Sequence, residues 1–187
     1  MGMFLPNCSN GLDCDFGPAP DFFDIEGMRT RFFDRDDNLI DTEELSFSDF
    51  GYLSVIFDVE YLVYEQKTKR NFGFINQAYG CSPEEPGLQG SKFEAFENIT
   101  ITTLNDFDEE HLADSSMNDL LRVMYLYSSE LTTIDEFLDD DTNVQRPGLL
   151  FQLSKAPELN PELRLRINIE LSTDEQYKVL TDPLGFI

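Results

Sequence analysis

Leu163, Leu165, Ile167, Ile169 and Leu171 place an apolar side chain at every second position, with Arg164, Arg166, Asn168 and Glu170 between them. A period of two sends successive side chains to opposite faces, so this is a strand with one face in a core and the other in water. The same pattern runs from Leu53 through Val55, Phe57, Val59 and Tyr61 to Val63, with Ser54, Asp58 and Glu60 among its alternates. Two long half-buried strands need a second layer to cover their apolar faces. The chain is therefore expected to stack sheets.

The remaining segments extend that expectation. Phe22 to Ile25 opens a strand that runs past a bulge at Gly27 to Phe32-Phe33. Residues 34–51 are acidic and loop-like, and 71–78 read as another short strand. Residues 79–91 are dense in Pro and Gly and read as a loop. From 93 to 103, Phe93, Ala95, Ile99 and Ile101 alternate with Glu94, Asn98, Thr100 and Thr102. The period then turns helical: Met117, Leu120, Leu121 and Met124 fall on one face behind Ser116. A second short helix begins at Thr133, whose partner Glu136 completes a T-x-x-E capping box. It should stop by Asp139–Asp141, where negative charge opposes the helix dipole. Leu149–Leu153 is a short apolar strand. Leu163–Leu171 and Tyr177–Leu180 form a hairpin with a four-residue connection. Six or seven mostly antiparallel strands, with two short helices inserted in one connection, give a mainly-β sandwich of immunoglobulin-like or related type. Residues 1–20, rich in Asn, Gly and Pro, read as a flexible tether, and 21–187 as one domain.

Composition narrows the function. Thirty-seven acidic residues against 13 basic ones give a net charge of −24, which disfavours nucleic acid and anionic surfaces. Self-repulsion of that size also favours a monomer. Seventeen Phe and 7 Tyr supply a core, so the charge does not imply disorder. No apolar run approaches the roughly 20 residues of a membrane-spanning helix.

No motif for catalysis stands out. Asp34-x-Asp36-x-Asn38 resembles the start of an EF-hand loop, but Leu39 and Leu45 occupy the positions that need Gly and Glu. Asp106 and Asp108, in the acidic run after a strand, are the alternative calcium candidates. His111 lacks a demonstrable partner in sequence and reads as a surface histidine. No Ser or Cys lies in a G-x-S-x-G setting. Asn98-Ile99-Thr100 is a glycosylation sequon buried in a strand pattern and is discounted. The expectation is no enzyme, no cofactor and no metal ligand set.

The three cysteines are Cys8, Cys14 and Cys81. Cys14 and Cys81 sit in Pro/Gly-rich loops beside strands and are candidates for a disulfide, with unpaired thiols as the alternative. Cys8, at the head of the tether, is the candidate for acylation, although Asn7 is not the small residue that usually precedes a lipidated cysteine. The start has neither the basic nor the apolar region of a signal peptide. Two expectations follow: a mature form whose export signal has been removed, or a cytosolic acidic protein.

Four segments taken together carry a resemblance. They are Asp13-Cys14-Asp15-Phe16-Gly17-Pro18-Ala19-Pro20-Asp21-Phe22-Phe23-Asp24-Ile25, Ala78–Gly87, Ile99–Thr103 running into Asp106-Phe107, and Ser116–Leu120. In this order and spacing the chain resembles a family of uncharacterised secreted lipoproteins of Bacteroidetes bacteria. The resemblance covers the chain from about Cys14 onwards. It implies an exported protein held by a lipid at the outer membrane or in the periplasm, and it supplies no catalytic residues. The functional expectation is a non-enzymatic binding or structural module of the cell envelope, with an envelope protein or glycan as partner. A calcium-dependent carbohydrate- or adhesion-type module is the alternative.

Overall fold

The alternating stretch that begins at Leu53 lies in the long second strand of a five-stranded sheet. In the computed structural model, which describes residues 20–40, 44–62, 86–140 and 143–187, β1 (Phe22–Asp34) pairs antiparallel with β3 (Phe50–Leu62). Their register shifts between Ile25 and Gly27, the place where the sequence marks a bulge. β3 in turn pairs with β7 (Gly148–Leu153), which pairs with β5 (Leu121–Tyr125), which pairs with β6 (Thr132–Thr133). A second sheet runs in the order β10 (Gln176–Leu180), β9 (Leu165–Leu171), β4 (Phe96–Thr103). A third joins β2 (Glu44–Leu45), β11 (Leu184–Phe186) and β8 (Glu162–Leu163). The fold is mainly β and antiparallel, consistent with a sandwich; β2 and β11 form a parallel pair.

The core lies between the sheets. Val55, Phe57, Phe151 and Val123 from the first sheet and Ile99, Ile101, Ile167 and Ile169 from the second belong to one buried cluster. Phe57 and Phe96 meet across it with ring centroids 5.9 Å apart. Fully burying each such side chain is worth roughly 1.5–3 kcal/mol. Phe47, Phe50 and Phe186 close one end, with centroids 5.5–6.2 Å apart. The β9–β10 hairpin has its four-residue connection, closed by Leu171 N donating to Glu175 O and by Asp174 at φ 67°. Tyr177 on β10 donates to Ile25 O at 2.6 Å and so ties the second sheet to β1.

Four expectations are corrected. The helix expected from Met117 to Met124 is a 3-10 turn (Asn118–Leu120) followed by strand β5. Its backbone is claimed by a sheet instead: Met117 N donates to Ile101 O, and the Asn118 side chain accepts from Ile101 N and donates to Ile99 O. Leu121 and Val123 then face the core while β5 completes its ladder on β7. The second correction is one of phase. Glu94 is 1% exposed and Phe93 61%, the reverse of the expected alternation, and a register shift between Phe96 and Asn98 restores the phase for Ile99 and Ile101. Third, Tyr61 leaves the buried face of β3 and is 42% exposed. The acidic segment 34–51 also contains β2 and the start of β3. The strand expected at 71–78 lies outside the described residues.

The second helix forms where its capping box places it. In α1 (Ile134–Asp140), Thr133 Oγ1 accepts from Glu136 N at 3.1 Å, and Glu136 Oε2 accepts from Thr133 N at 3.1 Å. Hydrogen bonds from the Thr133 and Thr132 hydroxyls hold the Glu136 carboxyl down at about 2. Thr133→Ala is expected to cost about 1 kcal/mol in a urea unfolding curve.

Candidate functional site

Two places in the fold gather side chains with chemistry. The first is the loop between β4 and the 3-10 turn. His111 is 7% exposed and Asp108 2%, which corrects the expectation of a surface histidine. Asp108 Oδ1 accepts from Glu110 N and His111 N and stands 2.8 Å from His111 Nδ1, while Oδ2 lies 2.7 Å from Lys155 Nζ. On the other side of the ring, His111 Nε2 lies 3.1 Å from both Asp119 oxygens. With a carboxylate on each nitrogen, both nitrogens donate and the ring is held as imidazolium. Burial opposes that charge, but the two carboxylates outweigh it and raise the His111 pKa above 6.5. Lys155, against burial and with help from His111 and the loop's N–H groups, holds the Asp108 carboxyl far below the usual range.

This arrangement leaves neither ring nitrogen available to take a proton from a substrate. It also consumes the calcium candidates. Asp108 is committed to Lys155 and His111, and Asp106 Oδ1 accepts from Ala113 N at 2.9 Å. Among the described residues, no group of three or more His, Cys, Asp or Glu is placed to hold a metal ion. Millimolar calcium is accordingly expected to leave the melting temperature unchanged, since a cation bound to the native state would raise it by mass action.

The other acidic candidates also turn inward. Asp34 Oδ1 accepts from Asp36 N and Asn38 N and closes the turn after β1, so this resemblance to an EF-hand is a local hydrogen-bonded bend. The buried Glu94 accepts from Ile25 N at 3.2 Å and from the Ser91 hydroxyl at 2.6 Å, pinning the β1 bulge. Burial pushes its pKa up, partly offset by those two donors. Asn98, of the sequon, is half-buried beside Glu170. Cys8, Cys14 and Cys81, with the lipidation and disulfide assigned to them, lie outside the described residues.

The second place is a cleft of about 470 Å3 at one end of the five-stranded sheet. Its floor is Phe23 and Tyr61, and its sides are the turn Pro86-Gly87-Leu88, the β5–β6 connection at Leu126-Tyr127, and Arg146-Pro147 ahead of β7. Each wall is anchored by its backbone. Gly87 N donates to Pro20 O, Leu126 N to Gly148 O, and Phe57 N to Pro147 O. Gly87 is required at its position: φ is +73°, and a Cβ would stand 3.0 Å from both Phe23 and Tyr61. Two further cavities of about 250 Å3 share the same connection, one reaching Ser128 and Glu130, the other Ser129 and Leu131.

Tyr127 is the unusual residue. Ser128 N donates to Tyr125 O at 3.0 Å, which closes a turn with Tyr127 in its third place at φ 68°. A bulky side chain in the left-handed region costs about 1–2 kcal/mol. Nothing among the described residues repays that cost: the ring is 89% exposed and has no hydrogen-bond or ring partner among them. Tyr127→Gly is expected to leave stability unchanged or raise it by up to about 1 kcal/mol in urea unfolding, because relief of strain competes with the greater unfolded-state freedom of Gly.

No family model matches the chain, and neither a curated protein nor a solved structure matches it. Sequence reasoning singled out Asp108 and His111 but not their meeting with Asp119 and Lys155, and it missed the cleft. The cleft is assembled from five separate segments. The one local signal was Tyr61, the last described aromatic of an alternating strand whose neighbours Asp58 and Glu60 are exposed.

Proposed function

We propose that this chain is a non-enzymatic binding module of the bacterial cell envelope, exported and tethered through a lipid on Cys8. The cleft at the β5–β6 connection is its contact surface. The observation that carries this reading is Tyr127, a large aromatic kept exposed and strained at the rim of a preformed cleft. Strain of this kind clusters where a side chain is displayed for recognition. His111, committed to two carboxylates, has no ring nitrogen free to serve as a general base.

Co-sedimentation with insoluble cell-envelope polymers tests the binding role. The wild-type chain is expected in the pellet, and Tyr127→Gly in the supernatant. Equal partition of both proteins would remove the cleft as the contact surface. For the anchor, the full precursor expressed in a bacterial host is expected to incorporate labelled fatty acid, and Cys8→Ala to lose it. Unchanged labelling of Cys8→Ala would move the anchor elsewhere.

A further inference from the structure

We infer that the cleft takes an oligosaccharide bearing carboxylate groups, with Tyr127 and Tyr61 stacking on sugar faces and Arg146 pairing with the carboxylate. This rests on the cleft being the contact surface of the module. Its volume, about 470 Å3, falls in the range of roughly 300–1,000 Å3 that encloses small ligands.

Charge sets the class of ligand. Acidic residues outnumber basic ones 37 to 13 over the whole chain, yet none of the described residues lining this cleft is acidic. Among the described residues, the one ionised group in its wall is Arg146, which is exposed and has no ion-pair partner among them. A guanidinium presents a planar fork that fits a carboxylate with two parallel hydrogen bonds. A cationic ligand would meet that guanidinium, and no described residue of the lining offers it a carboxylate.

The surface chemistry sets the rest. Tyr61 and Tyr127 offer broad, rigid, amphipathic faces with hydroxyl edges, which suit a ligand with apolar C–H faces and polar rims. An extended peptide would need main-chain partners to add itself as a strand. The wall groups Gly87 N, Leu126 N and Pro147 O are already bonded within the protein. The side chains offered for recognition are the ring faces and the guanidinium.

Isothermal titration of the full chain tests this with four-residue oligomers of galacturonate, of alginate and of hyaluronan, each beside its carboxyl-reduced counterpart. At least one acidic oligomer is expected to bind. Reduction of its carboxyl groups, Arg146→Gln and Tyr127→Gly should each weaken it by about tenfold or more. The melting temperature of Tyr127→Gly should be no lower than that of wild type, so that lost binding is not lost folding. If a reduced oligomer binds as tightly and still depends on Tyr127, the carboxylate assignment fails while the binding module stands. If no oligomer binds although envelope polymers retain the wild type, the saccharide assignment fails and a protein partner takes its place. Failure of both experiments removes the contact surface itself.

Discussion

Replacing Asp108 by alanine is expected to lower the melting temperature by roughly 10 °C, because it leaves a buried histidine and a lysine without their shared counter-charge. The substitution also removes the acceptor for two loop N–H groups, Glu110 N and His111 N. What remains beside His111 is Asp119, whose side chain is 67% exposed and screened by water. The pH profile carries the signature of this network. Asp108 is lowered from 3.8, so its contribution is present above that value and lost as pH falls through the lower folded pKa. His111 is raised from 6.5, so its contribution is complete below that value and lost as pH rises through the higher folded pKa. Glu94, raised from 4.5, acts in the same direction as His111. The network is therefore strongest between about pH 4 and 6.5. Urea midpoints followed from pH 4 to 9 should decline on the alkaline side. His111→Gln should remove the part of that decline that belongs to the imidazole. Superimposable profiles for the two proteins would show that the ring is not held charged.

Phe151→Ala is expected to cost about 3–5 kcal/mol. Phe151 is fully buried on β7, the middle strand of the five-stranded sheet, opposite Leu53 on β3 and Val123 on β5. Truncation removes the ring from water-excluded packing and opens a cavity that ladders on both sides prevent from collapsing. Equilibrium urea unfolding should show a lower midpoint with an unchanged slope. A loss below about 1 kcal/mol would mean that the centre of the sheet can repack. Set beside Tyr127→Gly, the pair separates an aromatic that holds the fold from one that costs it stability.

Legibility followed burial pattern. Leu163 to Leu171 could be read because every core-facing residue is apolar and its solvent-facing neighbours are polar. Thr133 and Glu136 could be read because a cap is satisfied locally. The segment Met117–Met124 could not, since Met117, Leu120, Leu121 and Met124 fit a helical face as well as a turn leading into a short strand. The backbone bonds from Met117 and Asn118 to β4 decide between them, and those are long-range facts. Glu94 misled because a buried carboxylate satisfied by Ser91 and Ile25 looks polar in sequence. Asp108, His111, Asp119 and Lys155 converge from three segments, so their spacing carried no sign of their meeting.

The parallel pairing of β11 with β2 brings Gly185 against Glu44 across most of the chain. During synthesis, β2 must wait for a partner that is made long after it. Such non-local closure slows folding and leaves strand borders open in the meantime. Half-folded molecules would be prone to stick to one another, and the surplus of 24 negative charges is a means of holding them apart. On that view the acidity serves the protein's assembly as much as its finished surface.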